Sequence, residues 1–569
     1  MTLFRFIPPR AKRFVIDWVL PPALFAAYRR WRTPDIQKFW SGAPVTAPPA
    51  EARYFASGGL ASATLTHRDD SRACGRVERA ARLPLPSASG GEAVQFAVVA
   101  DSEWPRTAKI SVTVGGRTMT HVGLSDDRWL DLRLDVPAGT THLDITTDAP
   151  VHVSFPRAVR VASVAPGSVR HIIVLVLDGW TTRLSTERHP TEPNTPLTPN
   201  FDRFFADGFE ASHGYASGEW TLPAAASFFT GLCTARHRAF HPYDRTYLPT
   251  DRALLAERFQ AAGYHTLCMS TGNRLTPAYG HHRGFDRFIY HWPYPGFTRL
   301  DYDPAVWLAD LIGQLAAHRR DCTFSYVHLP DTHPPWNVPP LTRSFNLGRR
   351  GSSAGLDLVR VADGPAAAED GRQLYCLRLH EIDRMLGSVF DYIERNIADE
   401  TLVILTADHG TPWQYLRERR PADEPYLVDD RVAVSLRMRG PGVAKAHMTG
   451  LTAPNLDLMP TVLARVGLEV PGDLDGRDLL DPGYRRDVVI SESFYGGVYE
   501  IAVRDGRRAY FEKYGLDERA VRVAGLPIYR ALFTAGASDY SHPLAEPPGC
   551  LAGVVQAHLT RVGLNRVAA

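Results

Sequence analysis

Two continuous apolar runs, each followed by an acidic residue, constrain the fold of this chain more than any other feature. The first, HIIVLVL, leads to Asp178, and the second, TLVILTA, leads to Asp408 and His409. An apolar run without polar alternation is typical of a strand that is buried on both faces of a parallel sheet. An Asp–His pair at a strand end is a moderately specific indication of a metal-binding site. A carboxylate at the end of another strand makes this indication stronger. A structural hydrogen bond between Asp408 and His409 is the alternative.

A hydroxyl residue at the predicted start of a helix lies between these two runs in the sequence. Thr221 precedes Pro223 and a series of small residues, and an earlier predicted helix begins near Pro199 and closes at Gly208. A cation beside a carboxylate lowers the pKa of a hydroxyl group, while a helix N-terminus favours an incoming anion. Together with Asp178, the pattern predicts a metal-held nucleophile at Thr221.

The apolar pattern divides the chain into regions. Apolar residues alternate with polar ones between residues 51 and 165, for example at Val94, Phe96 and Val98, which predicts an antiparallel β-sandwich. Beyond it we predict an α/β fold, with a mostly parallel central sheet covered by helices. A loop is predicted from Asn337 to Gln373 and a core helix after it. The predicted regions are a basic aromatic helical arm (1–50), the sandwich (51–165), a catalytic domain with a small C-terminal sheet (166–525) and a C-terminal extension (526–569).

Charge and targeting signals limit the partners. The 64 basic and 62 acidic residues give a formal charge of +2, which provides no general attraction for nucleic acid. No secretory signal is recognisable, so a cytoplasmic location is expected. Aromatic residues between basic groups in residues 1–45 suit the surface of an anionic membrane, which would place the protein at the inner face of the membrane. Packing on the enzyme's own surface or a homo-oligomer contact is the other interpretation.

Five motifs resemble, in order, those of the sulfatase branch of the alkaline phosphatase superfamily, over about residues 170–510. They are TPNFDRFFADGF, WTLPAAASFFTGL, THPPW, TADHG and LDLMPTVLARVGLEVPGDLDGRDLL. The resemblance implies that Asp178, Asp408 and His409 hold one divalent ion that also contacts Thr221. Mn²⁺ or Zn²⁺ suits a set containing His better than Ca²⁺ does. A second ion is not expected, because Gly179 replaces the second Asp that is common in calcium sulfatases.

The resemblance also suggests substrate contacts. His333 in THPPW corresponds to the histidine that contacts the charged oxygens or the leaving group of the substrate. For His328 and Asp331, which precede it, two interpretations stay open: contact with the substrate, or ordering of the loop. TGN at 271–273 is similar to the HGN-like segment of phosphoglycerol transferases, which implies substrate binding by Asn273. For His281 and His282, a solvated loop position is the favoured interpretation.

The nucleophile segment departs from the sulfatase pattern. Sulfatases carry Cys or Ser in C/S-x-P-x-R, which is oxidised to formylglycine, whereas this chain has TLPAA from Thr221 to Ala225. Threonine cannot form formylglycine, so the resemblance favours phosphodiesterases and the phosphoglycerol and phosphoethanolamine transferases, which act on phosphorylated lipids or glycans. Two alternatives stay open: a sulfuric ester hydrolase without formylglycine, and an inactive relative that binds glycans through the sandwich.

Overall fold

The protein is described by a computed structural model. The structure describes residues 60, 62–67, 70–85, 93–101, 107–124, 128–137, 139–159, 168–184, 187–240, 247–271, 275–276, 279–291, 304–333, 365–411, 424–495, 497–517, 522–537 and 540–564.

Antiparallel strands make up the N-terminal region in two layers. The strands are β1 (Ser62–His67), β2 (Asp70–Val77), β3 (Ala80–Pro84), β4 (Ala93–Ala100), β5 (Ala108–Val114), β6 (Arg117–Leu124), β7 (Leu130–Asp135), β8 (His142–Thr147), β9 (Val151–Ser154) and β10 (Arg157–Val159). One layer has the order β3-β8-β5-β6, and the others belong to a larger sheet. Val94, Phe96 and Val98 of β4 share a buried cluster with Ile110 and Val112 of β5, as their alternation predicts.

The central sheet contains the two apolar runs. Its region includes β11 (His171–Leu177), β12 (Arg188–His189), β13 (Glu192–Pro196), β14 (Phe209–Tyr215), β15 (His265–Thr271), β16 (Arg287–His291), β17 (Thr323–Leu329), β18 (Thr401–Ala407), β19 (Ala433–Arg439) and β20 (Ala446–Met448). Five parallel neighbours, β16-β15-β17-β11-β18, are followed by β19, β14 and β20, whereas β12 and β13 pair separately. Every residue of β11 and β18 is buried, so the predicted α/β architecture is confirmed with a mixed central sheet.

The large sheet does not stop at the end of the parallel strands. β2 pairs antiparallel with β16, where Ser71 lies opposite Phe288 and Asp70 opposite Ile289. The N-terminal strands β1, β2, β4, β7, β9 and β10 therefore join the central strands in one 14-stranded sheet. One layer of the N-terminal region is thus continuous with the central sheet, while the domain boundary at residue 165 stays a prediction.

Helices cover both faces of the sheet. They are α1 (Pro199–Phe204), α2 (Thr221–Thr230), α3 (Thr234–His237), α4 (Leu255–Ala261), α5 (Pro304–Ala317), α6 (Pro365–Asn396), α7 (Asp429–Val432), α8 (Pro454–Arg465) and α9 (Cys550–Arg561). In β11, Ile172, Val174 and Val176 pack in one core with α2, α4 and α8, and the alternate residues pack in the other core with α1, α5 and α6. None of the helices in the described ranges is both long enough and apolar enough to cross a membrane.

Two predicted helix boundaries differ from the structure. The helix that begins at Pro199 ends at Phe204, and a turn then leads to Gly208. Helix α6 begins at Pro365, so the predicted loop does not extend to Gln373. Three alanines after Pro365 are strong helix formers, and they extend the helix ahead of its apolar, core-facing part.

A four-stranded antiparallel sheet follows the central region, and its last strand continues past residue 525, where the C-terminal extension is predicted to begin. Its strands are β21 (Val489–Tyr495), β22 (Val498–Arg504), β23 (Arg508–Asp517) and β24 (Arg522–Thr534), paired in that order. Leu551, Val555 and Leu559 of α9 are buried in the same core as Tyr499 and Ile501 of β22. The small sheet and the last helix therefore pack as one layer beside the central sheet.

Candidate active site

The ends of two adjacent parallel strands bring the predicted ligands together. Asp178 follows β11, and Asp408 and His409 follow β18, whose residue Ala407 lies opposite Leu177. The His409 Nε2 atom lies 3.4 Å from Asp178 Oδ1 and 3.5 Å from Asp408 Oδ2. All three residues are buried. The sequence therefore places these side chains correctly, and their role as metal ligands stays a prediction.

The two oxygens of Asp408 have different surroundings. Its Oδ1 accepts hydrogen bonds from the backbone N–H groups of Gly179 at 3.0 Å and His409 at 2.8 Å. Its Oδ2 is buried and has no hydrogen-bond partner among the described residues. The backbone thus fixes one oxygen and aims the other at the imidazole of His409. Leaving such an oxygen unsatisfied is unfavourable unless a proton or a cation is bound there.

Gly179 follows Asp178 directly at the end of β11. Its φ of +75° belongs to the left-handed region, which side chains rarely adopt. A Cβ atom would also lie 2.7 Å from the Thr411 Oγ1 atom, which donates to the Gly179 carbonyl. The backbone at this strand end therefore requires glycine and has no room for another carboxylate.

Hydrogen bonding fixes the orientation of His409. In the neutral ring, Nδ1 donates to the Gly410 carbonyl at 2.9 Å, which leaves the lone pair of Nε2 facing the two carboxylates. Burial disfavours the charged ring, but the carboxylates of Asp408 and Asp178 raise the pKa of His409 to about 9. Burial likewise opposes ionisation of Asp178, yet His333 and His409 hold the pKa of its carboxyl far below the usual range. Two carboxylates thus attract a positive charge at this point, and a divalent cation fits the oxygen and nitrogen donors.

The structure adds His328 to this group. It lies within β17, next to β11, and its Nε2 is 3.4 Å from Asp408 Oδ2. One donor atom each of Asp178, His328 and Asp408 lie within 4.8 Å of one another. The signal in the sequence is a histidine near the end of an otherwise buried run, TFSYVHL. As long as the residues beside it in the sheet are unknown, a structural role in the core explains that histidine equally well.

His333 lies beside the carboxylates at the end of the third strand. It follows the short turn Pro330–Thr332, and its ring centroid is 6.2 Å from that of His409. The Thr332 hydroxyl donates to the Asp178 carbonyl at 2.7 Å. Asp331 forms an ion pair with Arg378 of α6, which anchors the turn. The geometry brings His333 to the site, whereas Asp331 is engaged in holding the loop.

Thr221 is the first residue of α2, where the positive end of the helix dipole lies. Its side chain is buried on the face of the sheet that α8 also covers, and α2 packs against α8. Asn455 in the first turn of α8 donates to the Asp408 carbonyl at 3.0 Å. One helix thus contacts both α2 and the strand end that carries the ligands. The role of Thr221 as nucleophile stays a prediction.

The loop before Thr221 is held by β21 of the small sheet. The Glu492 N–H donates to the Ser217 carbonyl at 2.9 Å, and the Ser491 hydroxyl donates to the Ala216 carbonyl at 2.7 Å. The Ser493 hydroxyl donates to Glu219 Oε1 at 2.6 Å. Three successive residues of one strand therefore fix the backbone that leads to the start of α2.

Other predicted residues have different outcomes. Asn273 and the arm at residues 1–45 lie outside the described residues. His281 and His282 are buried rather than solvated, which corrects their interpretation as solvent-exposed loop residues. The His281 Nδ1 is 3.2 Å from the Thr276 carbonyl, and its ring packs near Phe229 of α2. These histidines belong to the core beneath α2.

Comparison with known proteins gives the family. A family model described as Sulfatase matches residues 170–468, slightly more than half of the chain. Arylsulfatase G of Mus musculus is 25% identical over 344 residues, which cover 50% of this chain and 64% of that protein. The chain therefore spans less than two thirds of the length of arylsulfatase G. The multifunctional alkaline phosphatase superfamily protein PehA of Trinickia caryophylli is 24% identical over 395 residues, which cover 55% of this chain and 76% of PehA.

Solved structures show the same fold. The phosphonate monoester hydrolase SpPMH from Silicibacter pomeroyi superposes with a TM-score of 0.52 at 19% identity, covering 69% of this chain and 94% of that one. The phosphonate monoester hydrolase of Agrobacterium radiobacter gives a TM-score of 0.52 at 19% identity, covering 70% and 95%. Because the family model spans both apolar strands and the acidic residues at their ends, this chain belongs to the sulfatase family of the alkaline phosphatase superfamily.

Proposed function

We propose that this chain is a metal-dependent hydrolase or transferase that cleaves phosphodiester head groups through a covalent intermediate on Thr221. The observation that carries the proposal is the identity of this residue at the start of α2, followed by Pro223 as in the family motif. Its hydroxyl is a secondary alcohol, which oxidation cannot convert to the aldehyde of formylglycine. A plain hydroxyl nucleophile suits phosphoryl transfer, in which a phosphothreonine ester is formed and then cleaved.

The family context supports chemistry at phosphorus as well as at sulfur. One relative is named a multifunctional alkaline phosphatase superfamily protein, and proteins of the same fold are named phosphonate monoester hydrolases. A phosphonate monoester, like a phosphodiester, presents one ionised oxygen and one ester leaving group. We extend this substrate class to the present chain and propose a phosphorylated lipid or glycan as the natural substrate.

Enzymes of the sulfatase family bind a divalent metal ion, and the buried carboxylate and imidazole atoms of this site fit one. Asp178, Asp408 and His409 would hold it, with the Thr221 hydroxyl facing it. Such an ion polarises a phosphoryl oxygen and lowers the pKa of a neighbouring hydroxyl. Because imidazole nitrogen suits Mn²⁺ and Zn²⁺ better than Ca²⁺, we propose one of these two ions.

The residues of the chain have distinct tasks in this scheme. The Thr221 oxygen attacks phosphorus as its proton is lost to solvent, which forms a Thr–O–P bond and breaks the P–O bond to the head-group alcohol. His333 donates a proton to the departing oxygen. The neutral imidazole then accepts a proton from water or from an acceptor alcohol, which attacks the phosphothreonine and releases Thr221. Backbone N–H groups at the start of α2 stabilise the negative charge of the phosphoryl oxygens.

A substrate panel with two Thr221 variants tests this proposal. The metal-loaded protein should cleave an aryl phosphodiester faster than an aryl sulfate. Thr221→Ala should lose on the order of a hundredfold or more of this turnover, whereas Thr221→Ser keeps a hydroxyl and should retain much of it. Rapid quenching should give a mass adduct on Thr221 that equals the substrate minus its leaving group. Full activity of Thr221→Ala, or faster sulfate than phosphodiester turnover, would overturn the proposal.

A sulfuric ester hydrolase without formylglycine is the second candidate, and the similarity to arylsulfatase G favours it. A threonine sulfate ester lacks the route by which a formylglycine hydrate expels sulfate, so this activity should stall after one turnover. Repeated turnover of an aryl sulfate tests this candidate. A sulfatase without formylglycine should release many equivalents of sulfate per protein molecule, and Thr221→Ala should lose this activity, whereas release that stops after one equivalent would exclude it. An inactive glycan-binding protein would show neither bound metal nor turnover with either substrate.

The proposed lipid substrate also bears on residues 1–45, which we propose as a peripheral membrane contact at the cytoplasmic side. Removal of this segment should reduce binding to anionic vesicles and leave turnover of a soluble aryl phosphodiester unchanged. If vesicle binding is unaffected, sedimentation of both forms will show whether the segment instead holds a homo-oligomer together.

A further inference from the structure

His328 is a buried histidine beside the candidate metal ligands. Its side chain is completely buried, and neither ring nitrogen has a hydrogen-bond partner among the described residues. His281, which is also completely buried, has its Nδ1 near the Thr276 carbonyl. A buried imidazole with two unsatisfied nitrogens is unfavourable by several kcal/mol in an apolar core, typically about 2 to 7 for one polar group. Something that binds nitrogen must therefore complete this site.

The position of Asp408 indicates what that group is. His328 Nε2 lies 3.4 Å from Asp408 Oδ2, the same oxygen that faces His409 Nε2 at 3.5 Å. The other Asp408 oxygen is bound to two backbone N–H groups. Two donor atoms that share one ion with bonds of about 2.0 to 2.1 Å lie roughly 3.3 to 3.5 Å apart in a tetrahedral arrangement. The spacing of the two imidazoles around Oδ2 fits donors that share a single cation.

We infer that His328 is a fourth protein ligand of the metal centre, and that its nitrogen makes the centre select Zn²⁺ or Mn²⁺ over Ca²⁺. The inference rests on the metal centre of the proposed function. Calcium prefers sets made entirely of oxygen, whereas imidazole suits transition metals and zinc. Two imidazoles among four protein ligands move the preference further in that direction than His409 alone does.

The charge balance of the site supports the same assignment. Asp178 and Asp408 carry two negative charges when ionised, and His328 and His409 are neutral as ligands. A divalent cation would therefore make the buried set electrically neutral. An additional carboxylate in place of His328 would leave one net negative charge in a site that burial shields from water, which is unfavourable.

Metal titration of the full-length protein tests the inference without relying on turnover. The protein is stripped with a chelator, and the affinities for Zn²⁺ and Ca²⁺ are measured by competition, with the Co²⁺ absorption spectrum as a report on nitrogen ligation. His328→Gln removes the imidazole and should weaken Zn²⁺ binding by at least about tenfold to a hundredfold, the loss that even outer partners of such sites produce. The Co²⁺ spectrum should change, and Ca²⁺ affinity should change little.

A second variant and a matched control complete the experiment. His328→Glu places a carboxylate at the same reach and should raise Ca²⁺ affinity relative to Zn²⁺. His171→Gln removes another completely buried imidazole from a central strand. His171 is the first residue of β11, at the end opposite Asp178, where its ring is hydrogen-bonded to the Thr323 hydroxyl, so the metal affinities of this variant should match those of the unmodified protein. If the loss of a buried imidazole weakened metal binding only by disturbing the fold, His171→Gln would also bind the metals more weakly than the unmodified protein.

Each outcome decides a separate claim. Unchanged or tighter Zn²⁺ binding by His328→Gln would overturn the inference, because His328 would then be a proton carrier paired with Asp408 that competes with the ion. The proposed metal centre would survive that result. If the unmodified protein bound none of the three ions, both the inference and the metal-dependent function would fail. If it bound Zn²⁺ as inferred but cleaved only aryl sulfate, the phosphodiester proposal alone would fail.

Discussion

At the scale of single residues, the candidate active site depends on how Asp408 divides its two oxygens. Its Oδ1 accepts two backbone N–H groups and so belongs to the fold, whereas its Oδ2 faces the imidazoles of His328 and His409 and so belongs to the site. One side chain therefore couples the conformation of the Gly179 turn to the position of the candidate ligand atom. A substitution that keeps an acceptor oxygen at the Oδ1 position but replaces Oδ2 should therefore separate the role of Asp408 in the fold from its role in the site.

Asp408→Asn makes this change. The amide oxygen can still accept from the two backbone N–H groups, while an NH₂ group replaces the oxygen that faces the imidazoles. We expect the fold to persist, with metal content after dialysis and phosphodiester turnover both strongly reduced. Elemental analysis and thermal denaturation measure the two effects.

Asp383→Asn is the matched control for this prediction. Asp383 of α6 is also completely buried, and it accepts the backbone N–H groups of Asn200 and Phe201 at the start of α1, away from the candidate metal ligands. Its variant should keep the metal and the activity. Normal metal occupancy and turnover in Asp408→Asn would show that the ion, if any, is bound elsewhere.

Sequence patterns located some of these residues and missed others for definite reasons. Asp178, Asp408 and His409 stand at the ends of apolar runs, where a polar residue is conspicuous. His328 lies inside such a run, and only the pairing of β17 with β11 reveals that it faces the carboxylates. His281 follows Gly280 and precedes His282, a polar context that suggested solvent, yet tertiary packing buries it beneath Phe229.

At the scale of elements, the last helix reaches the start of α2 through one buried contact between a histidine and a carboxylate. His558 of α9 contacts Glu492 of β21, with Nε2 and Oε1 2.8 Å apart. The backbone of Glu492 bonds to Ser217 ahead of Thr221, and its side chain accepts the Ala235 N–H at the start of α3. Helix α9 therefore supports, through a single strand, the loop that carries the candidate nucleophile.

His558→Ala should destabilise the protein strongly. Both side chains are almost completely buried, and the substitution removes the imidazole from the Glu492 carboxylate, which keeps the Tyr499 hydroxyl on Oε1 and the Ala235 N–H on Oε2. Breaking a buried pair on one side reduces the free energy of unfolding by about 3 to 5 kcal/mol. Denaturant titration measures this loss.

A second substitution identifies its cause. Because Glu492→Gln removes the buried charge, the double variant should lose less stability than the sum of the two single variants. Additive losses would mean that His558 acts through packing alone and not through Glu492.

Elements also differ in how far the sequence predicts them. The strands β4, β5, β11 and β18 follow directly from apolar periodicity. The start of α6 does not, because the residues from Pro365 onward have high helix propensity without an apolar face to mark them. The pairing of β2 with β16 involves strands that are far apart in sequence, and no local pattern specifies it.

At the scale of the whole molecule, that pairing joins the N-terminal strands to the catalytic sheet. Arg157 of β10 is buried and donates to the carbonyl of Gln260 at 3.0 Å, beyond the predicted domain boundary. Gln95 of β4 donates to Asp321 at 2.9 Å. Paired strands and buried polar contacts that cross the predicted boundary favour the two regions unfolding together.

Such a cooperative molecule should report the protonation of its buried groups through its overall stability. His171, His237 and His281 are buried in three different parts of the catalytic region. Burial lowers the pKa of His171 and of His237 to about 4, and that of His281 to about 3. His237 also accepts the Ala239 N–H on Nδ1 at 3.0 Å, an interaction that a proton on that nitrogen would break.

These histidines predict a loss of stability in mild acid. Above pH 6.5 the rings are neutral in the folded and the unfolded chain, so their contribution is complete. As the pH falls from 6.5 towards 4, the unfolded chain binds protons that the folded protein excludes, and the free energy of unfolding decreases. The slope is about 1.4 kcal/mol per pH unit for each histidine that titrates only in the unfolded state. Denaturant titrations at pH 7.5, 6.5, 5.5 and 4.5, with a chelator present so that metal release does not contribute, should show this decrease. His237→Gln should make the slope shallower by about one proton, and a stability that is constant between pH 6.5 and 4.5 would contradict the burial of neutral rings.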